Sequence, residues 1–186
     1  MFGGYNTCDD TEEYNGTNFA TAGNLAVGRY AMNGFGTQNA AVAVGGIGAA
    51  SPNYPNNTEL WNGSVWSSGP DHNQGSKRIP GSGGSYDAGI ISNGGTGNNG
   101  HTVHSEVWNG STWSVNNDAT NPAYGNSLAG SSNAAHTVGI HCQLNGGQHS
   151  QIFDGTSFTN GPNKSHGGVG FAGVIAAGFS SCHMYA

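Results

Sequence analysis

Four copies of one short pattern are spaced along this chain, and any fold it adopts must repeat with them. Glu106-Val107-Trp108-Asn109-Gly110-Ser111-Thr112-Trp113-Ser114 is matched by Glu12 to Ala20, Glu59 to Ser67 and Gln151 to Thr159. The leading aromatics are Tyr14, Trp61, Trp108 and Phe153, and the trailing ones are Phe19, Trp66, Trp113 and Phe158. Each pair brackets Asn-Gly or Asp-Gly, and the copies follow at steps of 47, 47 and 45 residues. Such a turn pair between β-favouring residues marks a hairpin in which Asn-Gly supplies positive φ. A period of this length marks a repeat architecture, usually the blades of a propeller.

Composition agrees with many tight turns between short strands. The 186 residues are only 8% charged and 34% hydrophobic, with 34 glycines, so Gly, Asn, Ser and Thr stand where a disordered chain has Lys and Glu. A formal charge of -6 with four Lys and Arg leaves no basic surface for phosphates, which argues against nucleic acid and anionic membranes as partners. No stretch of 18 apolar residues predicts a membrane span, and no basic-then-apolar N-terminus predicts a secretory signal.

The hairpins are expected near 11–22, 58–68, 106–115 and 151–160. Between them lie paired apolar segments: Arg29 to Gly36 with Ala40 to Gly46, Arg78 to Ser85 with Ala88 to Ile91, and Ser127 to Gly130 with Ala134 to Ile140. Ala40 to Gly46 is almost continuously apolar, as a strand buried on both faces should be. The last pair is Gly168 to Phe171 and Val174 to Phe179. Each period thus supplies four short strands and no amphipathic helix, the content of one propeller blade. The leading aromatics Tyr14, Trp61, Trp108 and Phe153 are expected in the core.

These residues resemble the kelch repeat, in which an apolar strand ends in Gly-Gly, a variable loop follows, and a hairpin carries two aromatics. Val44-Gly45-Gly46 followed by Trp61 and Trp66 keeps that order, as does Gly94-Gly95 followed by Trp108 and Trp113. The third repeat departs with Gly139-Ile140 and the last with Ala177-Gly178, and the spacing between aromatics is short for the family. The phrasing of Thr11 to Thr17 with Gly34 to Gln38 is similar to kelch-like repeats of marine bacteriophages and their hosts. The resemblance implies an all-β, kelch-like β-propeller of about four blades, each of four short antiparallel strands.

The whole chain, 1–186, reads as one domain, with strands 168–179 closing onto the hairpin at 11–22 so that no sheet edge stays open. Met1 to Tyr5 duplicates the strand at 174–179, which leaves three fates: a loose end, an extra edge strand, or a strand passed to a neighbouring subunit. Cys8 and Cys182 occupy equivalent repeat positions at the two chain ends, so ring closure would bring them near enough for a disulfide, with two reduced thiols as the equal alternative. Cys142 is left over.

Few residues suggest chemistry. His101 and His104 are three residues apart, but no Cys or carboxylate pair nearby completes a zinc set, and they read as part of a polar rim loop. Asp9, Asp10, Glu12 and Glu13 lack the spacing of a calcium loop and read as solvated edge charges. The family resemblance brings copper oxidases to mind, yet Tyr185, His183 and Cys182 are near-consecutive and a strand would point them to opposite faces. A sialidase needs several arginines for its carboxylate, and this chain has Arg29 and Arg78. No cofactor, metal or catalytic residue is expected. The sequons at Asn15, Asn62 and Asn109 coincide with hairpin turns, and a fourth lies at Asn56-Asn57-Thr58.

The ligand-binding candidates are the loop aromatics Tyr54, Tyr86 and Tyr124 with His101 and His104, since aromatic faces flanked by amides suit sugar rings. The expectation is a non-enzymatic interaction or display module of a phage virion, in a tail, fibre or decoration protein. Its partners would be other virion or assembly proteins and host surface glycans, with a homo-oligomer open and a virion or extracellular location. The alternative is a cellular or secreted lectin or extracellular assembly subunit.

Overall fold

The computed structural model describes residues 1–4, 8–48, 56–74, 80–95, 100–123, 126–138, 148–163 and 165. These form seventeen strands in five small antiparallel sheets of two to four strands, with no helix among the described residues.

Three of the sheets are four-stranded meanders with one register. The first holds β5 (Asn33–Thr37), β6 (Ala40–Val44), β8 (Thr58–Trp61) and β9 (Trp66–Ser68). The next holds β10 (Gly81–Ser85), β11 (Ala88–Ser92), β12 (Ser105–Trp108) and β13 (Trp113–Asn116). The last holds β14 (Ser127–Ser131), β15 (Ala134–Val138), β16 (Ser150–Phe153) and β17 (Phe158–Asn160). Ahead of them stands a three-stranded sheet of β1 (Phe2–Gly4), β2 (Cys8–Tyr14) and β3 (Phe19–Thr21). The described part of Met1 to Tyr5 forms β1, at one side of this three-stranded sheet. The expected strands at 168–179 lie outside the described residues.

The expected strand at Arg29 to Gly36 is broken in two. Ala31 takes a left-handed backbone, φ 53°, which separates β4 (Arg29–Tyr30) from β5. β4 pairs instead with β7 (Ile47–Gly48) in a two-stranded sheet of their own.

The hairpin turns also differ from expectation. Asn15, Asn62 and Asn109 are absent from the positive-φ residues, whereas Gly16, Gly63 and Gly110 stand at φ 94–96°. Four residues link the strands, because the side chain of the first one caps the turn. Asn62 Oδ1 accepts the N–H groups of Ser64 and Val65 at 3.0 Å each, and Asn15, Asn109 and Asp154 repeat the arrangement.

Packing runs from sheet to sheet, with β5, β10 and β14 side by side. Val42, Val44, Ile91, Trp108, Trp113 and Phe35 form one core cluster, and Ile90, Leu128, Ala135, Phe153, Phe158 and Ala119 form the next. Ile90 and Ile91 are consecutive, so the strand alternation sends one to each cluster and the β10–β13 sheet is covered on both faces. Phe35 reaches across to Gly89, where a Cβ would lie 2.2 Å from the ring. Close approach of neighbouring sheets therefore requires glycine at that point.

One polar contact recurs at every junction that has the residues for it. Trp66 Nε1 donates to Thr11 Oγ1 at 2.9 Å, and Trp113 Nε1 donates to Thr58 Oγ1 at 2.8 Å, both 55 residues back and both one sheet earlier. Phe158, in the corresponding place, has no donor to give.

The aromatics expected in the core divide unevenly. Trp61, Trp108 and Phe153 are buried, but Tyr14 is 49% exposed and Phe19 57%. Trp61, Trp108 and Phe153 each have a residue opposite them on the preceding strand, namely Ala41, Gly89 and Ala135. In the first sheet Phe2 pairs with Thr11 and Met1 bonds to Glu12, so no described residue of that strand stands opposite Tyr14.

Trp113→Phe keeps an aromatic ring in the core but shortens it and removes the indole donor, leaving buried Thr58 Oγ1 without it. The expected cost is about 1 kcal/mol, read as a lower urea midpoint at unchanged slope. An unchanged midpoint would show that the junction contact carries no net stability.

Candidate functional site

Each repeat unit opens two residues before its leading aromatic, on Glu12, Glu59, Glu106 or Gln151. In the last three the side chain is buried and clamps the linker that enters the first strand of its own sheet. Glu59 accepts the N–H groups of Ala26 at 2.6 Å and Val27 at 3.3 Å. Glu106 accepts those of Asn73 and Gln74, both at 2.7 Å, and the Asn73 side-chain amide at 2.9 Å. Gln151 Oε1 accepts the Thr120 hydroxyl at 2.9 Å and the Asn121 N–H at 3.2 Å, while its Nε2 donates to the Asn121 carbonyl.

The residue just ahead of each clamped pair is buried too. Leu25, His72 and Ala119 donate their N–H groups to the carbonyls of Asp9, Asn56 and Val103, at 2.8, 3.0 and 2.7 Å. His72 therefore fills a slot that other linkers give to Leu and Ala. Its ring nitrogens have no hydrogen-bond partner, and its ring stands edge-on to Trp113 with centroids 6.5 Å apart. It reads as a packing residue.

Two of the clamps have a basic side chain beside them. Buried Arg29 donates to Glu59 at 2.9 Å and to the carbonyls of Gly45 and Asn57. His72 Nδ1 lies 3.6 Å from Glu106 Oε1. Burial by itself would raise the Glu106 carboxyl, but His72, the N–H groups of Asn73 and Gln74 and the Asn73 amide outweigh it and bring the pKa from 4.5 to about 2. Burial lowers the Arg29 pKa while Glu59 acts against that shift.

The sequence-derived binding candidates do not converge. Tyr86 sits in the hairpin between β10 and β11, half-buried against a core cluster, and its carbonyl accepts Trp108 Nε1 at 2.7 Å. Gln38 does the same for Trp61 in the preceding sheet, so Tyr86 holds a place in the repeat rather than standing outside it. His101 and His104 lie beyond the other end of β11, roughly 17 Å away for a five-residue strand. His104 Nδ1 is 3.2 Å from Asp118, with both side chains near half exposure. Tyr54 and Tyr124 lie outside the described residues, as do Cys142 and Cys182. Cys8 donates its thiol to Asp10 at 3.0 Å, a bond that raises its pKa.

Around His104 the loops are tied down by a polar network. Asn93, with φ 63°, donates its side-chain amide to the carbonyls of Thr102 and Asn121, and accepts from Ser92 and Asn126. Among the described residues no group of three or more His, Cys, Asp or Glu is placed to hold a metal ion. No helix there is long and apolar enough to cross a membrane. A cavity of about 550 Å³ lies between the first sheet and the β5–β9 sheet, bordered by Glu12, Tyr14, Phe35, Trp61 and Trp66.

The clamp position was visible in the sequence as an acid or amide at a fixed offset from each leading aromatic, yet nothing in composition assigned it a role. No protein-family model matches the chain, and no curated protein matches it.

Glu106 links the clamp to pH. Its folded pKa lies below its unfolded one, so its stabilisation is complete above about pH 5 and is lost as pH falls toward 2, amounting to roughly 3 kcal/mol. Glu106→Gln should lower stability at pH 7 and flatten the decline between pH 5 and 2 in urea titrations. Parallel pH profiles for variant and parent would rule the linkage out.

Proposed function

We propose that this chain is a kelch-like β-propeller acting as a non-enzymatic display or interaction module of a phage virion, in a tail, fibre or decoration protein, and that it binds host surface glycans. One observation carries the reading. The polar side chains that recur from repeat to repeat turn inward and hold linkers, at Glu59, Glu106 and Gln151. The loops beside them are varied between repeats: His104 stands where the preceding repeat has Asn57, and it lies half exposed next to Asp118. A rigid frame with individually varied loops suits recognition, because little ordering entropy is then lost on binding. Few charges and many hydroxyls and amides on such loops match the hydrogen-bonding surface of a sugar.

The loop end that holds His101 and His104 is assigned as the binding end, since Tyr86 lies at the other. His104→Ala is expected to weaken binding to host polysaccharide by about tenfold or more, the loss of one charge-assisted or buried hydrogen bond. Val65→Ser, at an exposed hairpin tip of the opposite end, should leave binding unchanged. Equal losses in both variants, or no binding to any host polysaccharide, would sink the glycan assignment. Absence of the chain from purified virions by mass spectrometry would sink the virion assignment.

A further inference from the structure

The turn after each leading aromatic exists in two chemical versions. In three repeats it is Asn-Gly, at Asn15, Asn62 and Asn109, and in the fourth it is Asp154-Gly155. The geometry is shared. Asp154 Oδ1 accepts the N–H groups of Thr156 and Ser157 at 2.9 and 2.8 Å, as Asn15 Oδ1 accepts those of Thr17 and Asn18, both at 2.9 Å. The Ser157 and Thr156 N–H groups hold the Asp154 carboxyl below the usual carboxylate range. A carboxylate therefore closes this turn as an amide does.

An Asn-Gly pair can make that change by itself. The glycine nitrogen gives up its proton and attacks the asparagine Cγ, the new N–Cγ bond closes an imide ring, and the side-chain nitrogen leaves as ammonia. Water then opens the ring at Cγ to give aspartate, or at the backbone carbonyl to give isoaspartate. Glycine favours the attack because no Cβ stands in its way. In none of the three Asn-Gly turns does the glycine N–H donate to a described residue. A hydroxyl residue follows in each, as Thr17, Ser64 and Ser111, so the local chemistry is matched and the fold sets any difference.

What differs is support. A Cβ on Gly63 would lie 3.2 Å from the Asn39 carbonyl oxygen, and one on Gly110 would lie 3.3 Å from Asp87. These two turns rest on the β5–β6 and β10–β11 hairpins of their own sheets, and both glycines are half-buried. A Cβ on Gly16 would meet nothing within 4 Å among the described residues, and Asn15, Gly16, Thr17 and Asn18 are all exposed. The Tyr14 hydroxyl donates to the Gly16 carbonyl at 2.8 Å, but Tyr14 belongs to the same hairpin and moves with it. Ring closure swings the glycine peptide toward Cγ, and a turn resting on a neighbouring hairpin resists that movement.

We propose that Asn15 is a self-modifying site. In the folded protein it exchanges its amide for a carboxylate through the Gly16 imide, ahead of Asn62 and Asn109, with water as the co-reactant and ammonia as the leaving group. The aspartate formed keeps the turn closed and adds one negative charge at the tip of the first sheet. The inference is independent of what the loops bind.

Folded protein is held at mildly alkaline pH, sampled over time, digested in acid, and its three turn peptides are read by mass spectrometry. Asn15 is expected to lose its amide about tenfold faster than Asn62 or Asn109, a barrier difference of about 1.4 kcal/mol. In urea the three rates should converge. No reaction at Asn15, equal rates in the folded protein, a lead by either other turn, or an Asn15 lead that persists in urea would overturn the proposal. Asn15→Asp and Asn15→Ala test the product. Aspartate should leave Tm within about 1 °C of the parent, while alanine, which accepts neither N–H, should lower it by roughly 2–4 °C. Equal Tm values for the two variants would overturn the claim that the product keeps the turn closed.

Discussion

The three four-stranded sheets each depend on burying a carboxylate or amide beneath backbone N–H groups. A charge taken out of water is costly unless it is hydrogen-bonded and paired. Glu59 and Glu106 meet that requirement with two main-chain donors each, joined by the Arg29 guanidinium at Glu59 and the Asn73 amide at Glu106. The same bonds fix the linker, which has no ladder of its own, and so set where the next first strand begins. Sheet position and linker conformation are therefore decided by one contact, repeated along the chain. Gln151 shows that the geometry, not the charge, is the constant, because a neutral amide can both accept from and donate to Asn121.

The clamp alone would tether sheets without aligning them. Alignment comes from the aromatic pair, whose two members do different work. The leading indoles of Trp61 and Trp108 point their N–H groups back into their own sheet, to the hairpin carbonyls of Gln38 and Tyr86. The trailing indoles of Trp66 and Trp113 cross to the hydroxyl of the sheet before. One ring closes a sheet on itself and the other sets its distance from its neighbour. That distance is short enough that Gly89 admits no side chain beneath Phe35.

Much of this was legible in the sequence because hairpins are local. The period, the four turns, the apolar strand at Ala40 to Val44 and the burial of Trp61, Trp108 and Phe153 all follow from spacing and side-chain type. What spacing could not supply was partnership. Asn62 was read as a residue that supplies positive φ, when its Oδ1 does the work of closing a four-residue turn. Arg29 to Gly36 read as one strand because nothing marks Ala31 as the left-handed break. Tyr14 was placed in the core by analogy with Trp61, although burial needs a cross-strand neighbour such as Ala41 gives Trp61, and no described residue of β1 stands opposite Tyr14. Tyr86 looked like a free loop aromatic because its repeat role belongs to its carbonyl, which any residue type can provide. The candidate site suffered most, since which loops share an end is set by strand pairing and not by composition.

Coverage also grades stability along the chain. The β10–β13 sheet has core packing on both faces and a clamp whose carboxyl stays ionised well into the acid range. The first sheet has Tyr14 and Phe19 in solvent and its strand β1 paired with a bulge between Phe2 and Gly4. Local opening requires least work where apolar contacts are fewest, so amide exchange must begin there and reach β11 last. The three-stranded sheet is thus where exposed aromatic surface and low resistance to opening coincide, whereas each four-stranded sheet has its leading aromatic covered and its linker clamped.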